Sequence, residues 1–153
     1  MEESNKITIT GSNAGEHLAI AGGQYRILVS GDATNGRYAI IEMNVPPGGG
    51  PLPHAHPEIE ELFYVADGEV QFKTDSGPVT AATGAFIRIP LGGGVHAFKN
   101  ISDKRAKLLC TVMPAGLDKM FEEISAAGPG QAIAITQKYR QQVYPADYFD
   151  GKK

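Results

Sequence analysis

Three of the four histidines in this 153-residue chain stand in one arrangement, His54-x-His56-x4-Glu61, with His96 thirty-five residues after the glutamate. Side chains two apart on a strand project to the same side, so a strand through His54 and His56 presents both imidazoles to one face. Glu61 lies beyond a short bend, at the head of the run Glu61-Leu-Phe-Tyr-Val-Ala-Asp-Gly68. An adjacent antiparallel strand there would bring its carboxylate beside the imidazoles. His96 sits in the apolar run Val95-His-Ala-Phe98 and would add a third nitrogen from another hairpin. Three imidazoles and a carboxylate suit a borderline divalent metal, and in an octahedral shell they leave two positions for water, dioxygen or substrate. A lone strand histidine is more often a satisfied or solvent-facing residue, and it is the joint spacing that points to a metal. His17, in Gly15-Glu-His-Leu18, falls outside the pattern and reads as an edge or surface residue.

Such a site must be positioned by strands, and short strands punctuated by Gly and Pro are what the chain supplies. Apolar or alternating runs predict strands over Lys6 to Thr10, His17 to Ala21, Tyr25 to Ser30, Arg37 to Val45, Glu60 to Ala66, Glu69 to Thr74, Val79 to Ala82, Ala85 to Pro90, Val95 to Asn100 and Ala106 to Met113. Turn signals separate them, among them Gly22-Gly23, Asn35-Gly36, Asp67-Gly68 and Gly92-Gly93-Gly94. Many short strands at this spacing indicate an antiparallel sandwich or barrel over residues 1–115. Beyond Pro114 the pattern changes. Leu117, Met120, Phe121 and Ile124 fall at helical spacing, with Asp118, Lys119, Glu122 and Glu123 on the other face, up to the stop at Ala127-Gly128-Pro129. A second helix is expected over Gln131 to Gln142, and the tail from Tyr144 to Phe149 reads as extended and docked on its own domain or on a partner. Residues 116–153 are thus expected to pack on the barrel as part of one domain.

Composition excludes several classes. A content of 42% hydrophobic and 20% charged residues, with a formal net charge of −3, describes an ordinary globular protein. Lys104-Arg105-x-Lys107 is the one basic cluster, short enough for a solvated turn, so nucleic acid is not an expected partner. No run approaches the roughly twenty apolar residues of a membrane span. The single cysteine, Cys110, lies in an apolar strand and reads as a small buried hydrophobe in a reducing compartment, which makes the cytoplasm the expected location.

The segment Gly48-x5-His54-x-His56-x4-Glu61-x6-Gly68 resembles the first motif of the cupin superfamily at every defined position, and Gly84-x5-Pro90-x-Gly92-x3-His96-x3-Asn100 resembles the second. The second motif has three residues between glycine and histidine where the pattern usually has two; the loop Gly92-Gly93-Gly94 can absorb the extra one. The phrases Pro46-Pro-Gly-Gly-Gly-Pro-Leu-Pro-His-Ala-His56 and Met113-Pro-Ala-Gly-Leu-Asp-Lys-Met-Phe-Glu-Glu123 look like bacterial single-domain cupins related to quercetin dioxygenases. The resemblance implies an all-β double-stranded β-helix, or jelly-roll barrel, with a short C-terminal helical extension, as a homodimer. It also implies one divalent transition metal (Fe, Mn, Ni, Co, Cu or Zn) on His54, His56, Glu61 and His96.

The leading expectation is a dioxygenase acting on a small aromatic or enol substrate such as a flavonol. Glu61 either stays a fixed ligand or takes the proton of a substrate hydroxyl. Phe63 and Phe98, each two residues from a ligand along its strand, either wall the substrate pocket or complete the core. Met43 and Met113 are further wall candidates. Arg88 would either bind an acidic substrate inside or sit solvated outside. A metal-dependent isomerase or hydrolase of a sugar or keto acid, and a non-catalytic binder of small ligands, use the same four ligands.

Overall fold

Strict alternation of buried and half-exposed side chains builds the centre of the molecule in the computed structural model, which describes residues 5–151. Strand β3 (Ala39–Val45) turns Ala39, Ile41, Met43 and Val45 inward, and β10 (Ala106–Met113) turns Ala106, Leu108, Cys110 and Val112 the same way. The two pair antiparallel with Met43 opposite Leu108 and Ile41 opposite Cys110, so both apolar rows share one face. On one side β3 continues to β2 (Gly23–Val29) and β1 (Leu18–Ile20); on the other β10 continues to β5 (Glu60–Asp67) and β8 (Phe86–Ile89), giving a six-stranded sheet in the order β1-β2-β3-β10-β5-β8. A three-stranded sheet is formed by β7 (Gly77–Ala82), β6 (Glu69–Thr74) and β9 (Ala97–Lys99). Phe63 of the larger sheet meets Phe72 and Phe98 of the smaller one edge-on, at centroid separations of 5.3 and 5.8 Å. Edge-to-face packing of this kind holds the two inner faces together. The result is the antiparallel sandwich or barrel that the strand pattern predicts, in the jelly-roll form that the resemblance implies, carrying two short helices at its C-terminal end.

Two short elements outside the ten predicted runs complete the frame, one of them the beginning of the strand expected through His54 and His56. Strand β4 (His54–Ala55) pairs with β11 (Gln142–Val143), placing Val143 opposite His54. A two-residue strand has no periodicity to read; backbone partners alone define it. Helix α1 (Leu117–Ala127) buries Leu117, Met120 and Phe121, and the Phe121 ring stands perpendicular to that of Tyr25 at 5.1 Å. Helix α2 (Ala132–Lys138) follows through a single 3-10 turn.

Several expectations are corrected. Lys6 to Thr10 is not a strand: no neighbouring strand pairs with it, and Ile7 and Ile9 are almost fully exposed. Asp118 does not face solvent. It is buried in the first turn of α1 and accepts hydrogen bonds from the Gly31 and Gly116 amides at 2.8 and 3.1 Å, where the positive end of the helix favours a carboxylate. The second helix ends at Lys138, because Arg140 adopts φ +62° and the chain then turns into β11. The aromatic tail is a succession of turns from residue 146 on, not an extended segment, with Tyr148 packed between Tyr144 and Phe149. His17 is exposed just ahead of β1, and Lys104, Arg105 and Lys107 are exposed, as expected.

Asn100, at the end of the second histidine motif, fastens the loop under the site. Its amide nitrogen donates to Val45 O and Lys104 O, its side-chain oxygen accepts from Ser102, and its backbone joins Gly48 and Gly49. The side chain is wholly buried, so Asn100→Ala strands several backbone groups without partners. We expect a loss of about 2–3 kcal/mol, seen as a Tm lower by roughly 5–10 °C in thermal denaturation.

Candidate metal centre

The backbone brings two of the four candidate ligands together before their side chains do anything. His54 N–H donates to His96 O at 3.0 Å and His96 N–H donates to His54 O at 2.9 Å, an antiparallel bridge that places the two residues directly opposite each other. Their ring centroids lie 4.5 Å apart. His56 follows on the same side, 4.9 Å from His54, and Glu61 enters from β5, where Ile89 and Val112 flank it. One ligand atom from each of His54, His56, Glu61 and His96 lies within 4.8 Å of the others, and all four residues are buried. The group could hold a metal ion.

Hydrogen bonds on the far side of the rings set which nitrogens face inward. His54 Nδ1 is 2.7 Å from Leu52 O and His96 Nδ1 is 3.1 Å from Gly94 O. A carbonyl oxygen only accepts, so each Nδ1 carries its proton and each Nε2 offers a lone pair. His96 Nε2 then faces Glu61 Oε1 at 3.1 Å, with His56 Nε2 3.9 Å from the same oxygen. Lone pairs on nitrogen and carboxylate oxygen repel unless a proton or a metal cation lies between them. The protonation states agree with ligation. Burial holds the His54 imidazole down at about 3, helped by its two histidine neighbours, and burial also lowers His56. Burial alone would raise Glu61, but a proton on His96 Nε2 donated to its carboxylate, and charge on the neighbouring histidines, lower it to about 2, so without a metal a proton takes the place between nitrogen and oxygen and Glu61 is ionised. The donor set therefore fits a divalent transition metal on chemistry as well as on distance. His56 Nδ1, by contrast, is sealed from solvent without any hydrogen-bond partner, so its ring alone lacks an anchor of this kind.

His54, His56 and Glu61 of the cluster line a cavity of about 250 Å³. Tyr25, Met43, Phe63 and Phe98 wall it from the sheets; Met120, Phe121 and Ile124 of α1, Ala132, Ile133 and Thr136 of α2, and Val143 of β11 roof it. Leu52 and Ile133 are both exposed and lining, which puts them at the mouth. Among the lining residues there is no Lys or Arg. Gly50 brings backbone into this wall at φ +144°, where a Cβ would collide with Phe98 O.

Of the residues singled out from sequence as candidate walls, Met43, Phe63 and Phe98 line this cavity, and Met113 and Arg88 do not. Register decides both cases. Glu61 pairs with Ile89 and Phe63 with Ile87, so Arg88, between them, takes the opposite face; it is mostly exposed and binds Glu60 at 2.6 Å. Met113 lies one residue past the inward Val112. Sequence reasoning missed Tyr25, the roof from α2 and β11, and the neighbour of Glu61. Cys110 Sγ lies 3.5 Å from Glu61 Oε2, so Glu61 has one oxygen toward the imidazoles and the other toward a thiol. The alternation that turns both Cys110 and Glu61 inward is legible in their strands, but their pairing across β5 and β10 is not.

Comparison with known proteins places this geometry. Residues 41–112, from β3 to β10, match the family model described as "Cupin domain". That stretch, just under half of the chain, is similar to the cupin domain. Solved structures with the same fold include a sugar phosphate isomerase of the cupin superfamily from Silicibacter pomeroyi (22% identity, 69% of this chain and 75% of that one, TM-score 0.62). Others are the polyketide cyclase RemF from Streptomyces resistomycificus (21%, 71% and 80%, 0.63) and a predicted oxalate decarboxylase from Thermotoga maritima (21%, 71% and 99%, 0.62). At these identities the likeness is one of fold, and cupin folds host unlike reactions. No curated protein matches the chain. No helix among the described residues is long and apolar enough to cross a membrane.

Cys110 is wholly buried and its thiol is pushed well up by burial and then by Glu61, which leaves it protonated and shielded. Ellman's reagent should leave it unmodified in the native protein and titrate one thiol per chain after denaturation. Rapid labelling of the folded protein would show that the β5–β10 interior is open to solvent.

Proposed function

We propose that this protein is a cupin and a metal-dependent dioxygenase of small aromatic or enol substrates, in the manner of quercetin dioxygenase-like proteins, with one divalent transition metal per chain on His54, His56, Glu61 and His96. The observation that carries the reading is the contrast within one cavity: His54, His56 and Glu61 of the ligand group line it, and the rest of its lining is mostly apolar, with Tyr25, Thr136 and Gln141 as the polar exceptions and no Lys or Arg. A sugar phosphate brings a phosphate that wants Lys or Arg and hydroxyls that want polar walls. A planar aromatic enol asks for Phe63, Phe98 and Phe121 around its rings and for one polar end. This favours the dioxygenase over the isomerase or hydrolase reading.

A metal held there would supply Lewis acidity toward a substrate hydroxyl and a redox centre for dioxygen. The chain does the rest. The aromatic walls hold the ring plane and exclude water, while Met120 and Ile124 close the roof. Glu61 accepts the hydroxyl proton on the oxygen turned toward the imidazoles, with Cys110 holding the other oxygen in place. Dioxygen is the oxidant and both its atoms enter the product, so no external reductant is required.

Oxygen uptake tests this directly. Protein loaded in turn with Fe, Mn, Ni, Co and Cu is screened against flavonols, catechols and β-diketones, and at least one combination should consume oxygen. Glu61→Gln at matched metal occupancy should lower that rate by a factor of about 10² or more. Equal rates would remove Glu61 from the chemistry. No uptake with any metal or substrate would favour a binding protein without turnover.

We also propose a homodimer. Tyr64 and Phe86 are paired across β5 and β8, and both are exposed on the outer face of the sheet, with Leu91 exposed just beyond. Strand β8 is the edge of that sheet, and a second copy related by a two-fold axis would cover both edge and patch. Light scattering should give about 33 kDa, twice the 16.3 kDa chain; 16 kDa at micromolar concentration would contradict it. The free, buried Cys110 accords with a cytoplasmic setting.

A further inference from the structure

Tyr25 is a deeply buried wall residue of the cavity whose hydroxyl can donate a hydrogen bond, yet it gives that bond to nothing among the described residues. Its ring is fixed: Tyr25 is 3% exposed, sits on β2 opposite Met43, and packs edge-on against Phe121. Its hydroxyl finds no partner among the described residues, and burial, with Cys110 and Glu61 nearby, keeps it protonated. A buried polar atom without a partner is normally costly. Among the buried side-chain atoms of the described residues only His56 Nδ1 is both sealed and unpartnered, so the Tyr25 oxygen is not sealed; it opens on the cavity that Tyr25 lines. Thr136, the other hydroxyl in the lining, already donates to Ile133 O at 2.6 Å.

We propose that Tyr25 is a substrate-binding residue whose phenol donates to a second oxygen of the substrate, next to the oxygen that the metal centre takes. This rests on the dioxygenase reading and narrows its substrates to aromatics with a carbonyl beside the reactive hydroxyl, that is, hydroxy-enones. A monohydroxy aromatic would leave the phenol unpaired in an apolar wall, and a site built to bond an oxygen discriminates against the ligand that lacks it.

The test is binding to zinc-loaded protein, measured by titration calorimetry, with two probes: flavonol, with its carbonyl beside the hydroxyl, and naphthol, with one hydroxyl and no carbonyl. Tyr25→Phe keeps the ring and its contact with Phe121 and removes only the donor. Flavonol affinity should fall about tenfold in the variant while that for naphthol changes less than about twofold. Equal weakening of both probes would mean that the substitution loosens the cavity, and equal flavonol binding by parent and variant would mean that the phenol bonds nothing; either result overturns the inference and leaves the dioxygenase reading standing. A parent that binds neither probe overturns both.

Discussion

His96 Nε2 and Glu61 Oε1, held 3.1 Å apart so that a proton or a cation must lie between them, are the constraint around which the structure is arranged. The backbone fixes His96 from one side through Gly94 O, and β5 fixes Glu61 from the other. Neither residue can turn away without breaking a strand register or a buried hydrogen bond. Burying an ionised carboxylate is among the more expensive things a fold can do, and it is tolerated where cations and donors surround it. Here His54, His56 and His96 crowd one oxygen and Cys110 the other. A divalent ion at their centre turns a repulsive arrangement into an attractive one, which is why the donor set makes physical sense as a ligand shell.

Around that point the cavity is graded from polar to apolar. His54, His56, Glu61 and Tyr25 line one part of it; the rest is mostly Phe, Met, Ile and Leu, with Thr136 and Gln141; its mouth is marked by Leu52 and Ile133. The cupin match ends at residue 112, whereas much of the roof comes from α1, α2 and β11, beyond it. The candidate ligands and much of the cavity roof thus fall on different stretches of chain. The β4–β11 pairing joins them, since Val143 of the roof stands opposite His54 of the centre.

The sequence disclosed the centre far better than the cavity. His54 and His56 are close in sequence, and a local spacing translates directly into shared geometry. The principal strands from Tyr25 to Met113 announce themselves by alternation and by Gly and Pro between them, and the helical period from Leu117 is equally plain. What stayed hidden depends on register between distant strands. Whether Arg88 faces in or out follows from its pairing beside Glu61, and Cys110 meets Glu61 only because β10 and β5 align as they do. Lys6 to Thr10 alternates like a strand and forms none, since alternation states a capacity and a strand needs a partner edge. Asp118 looked like part of a solvated helix face and is instead an internal acceptor for two amides, a role set by where Gly31 lies.

The central claim is that His54, His56, Glu61 and His96 form one metal site, and elemental analysis of purified protein after dialysis against each candidate divalent ion tests it most directly. The account predicts about one ion per chain in the parent and loss of most of it in His56→Ala, with the fold retained by circular dichroism. A parent that holds no metal even after reconstitution, or a His56→Ala variant that holds as much as the parent, would contradict it.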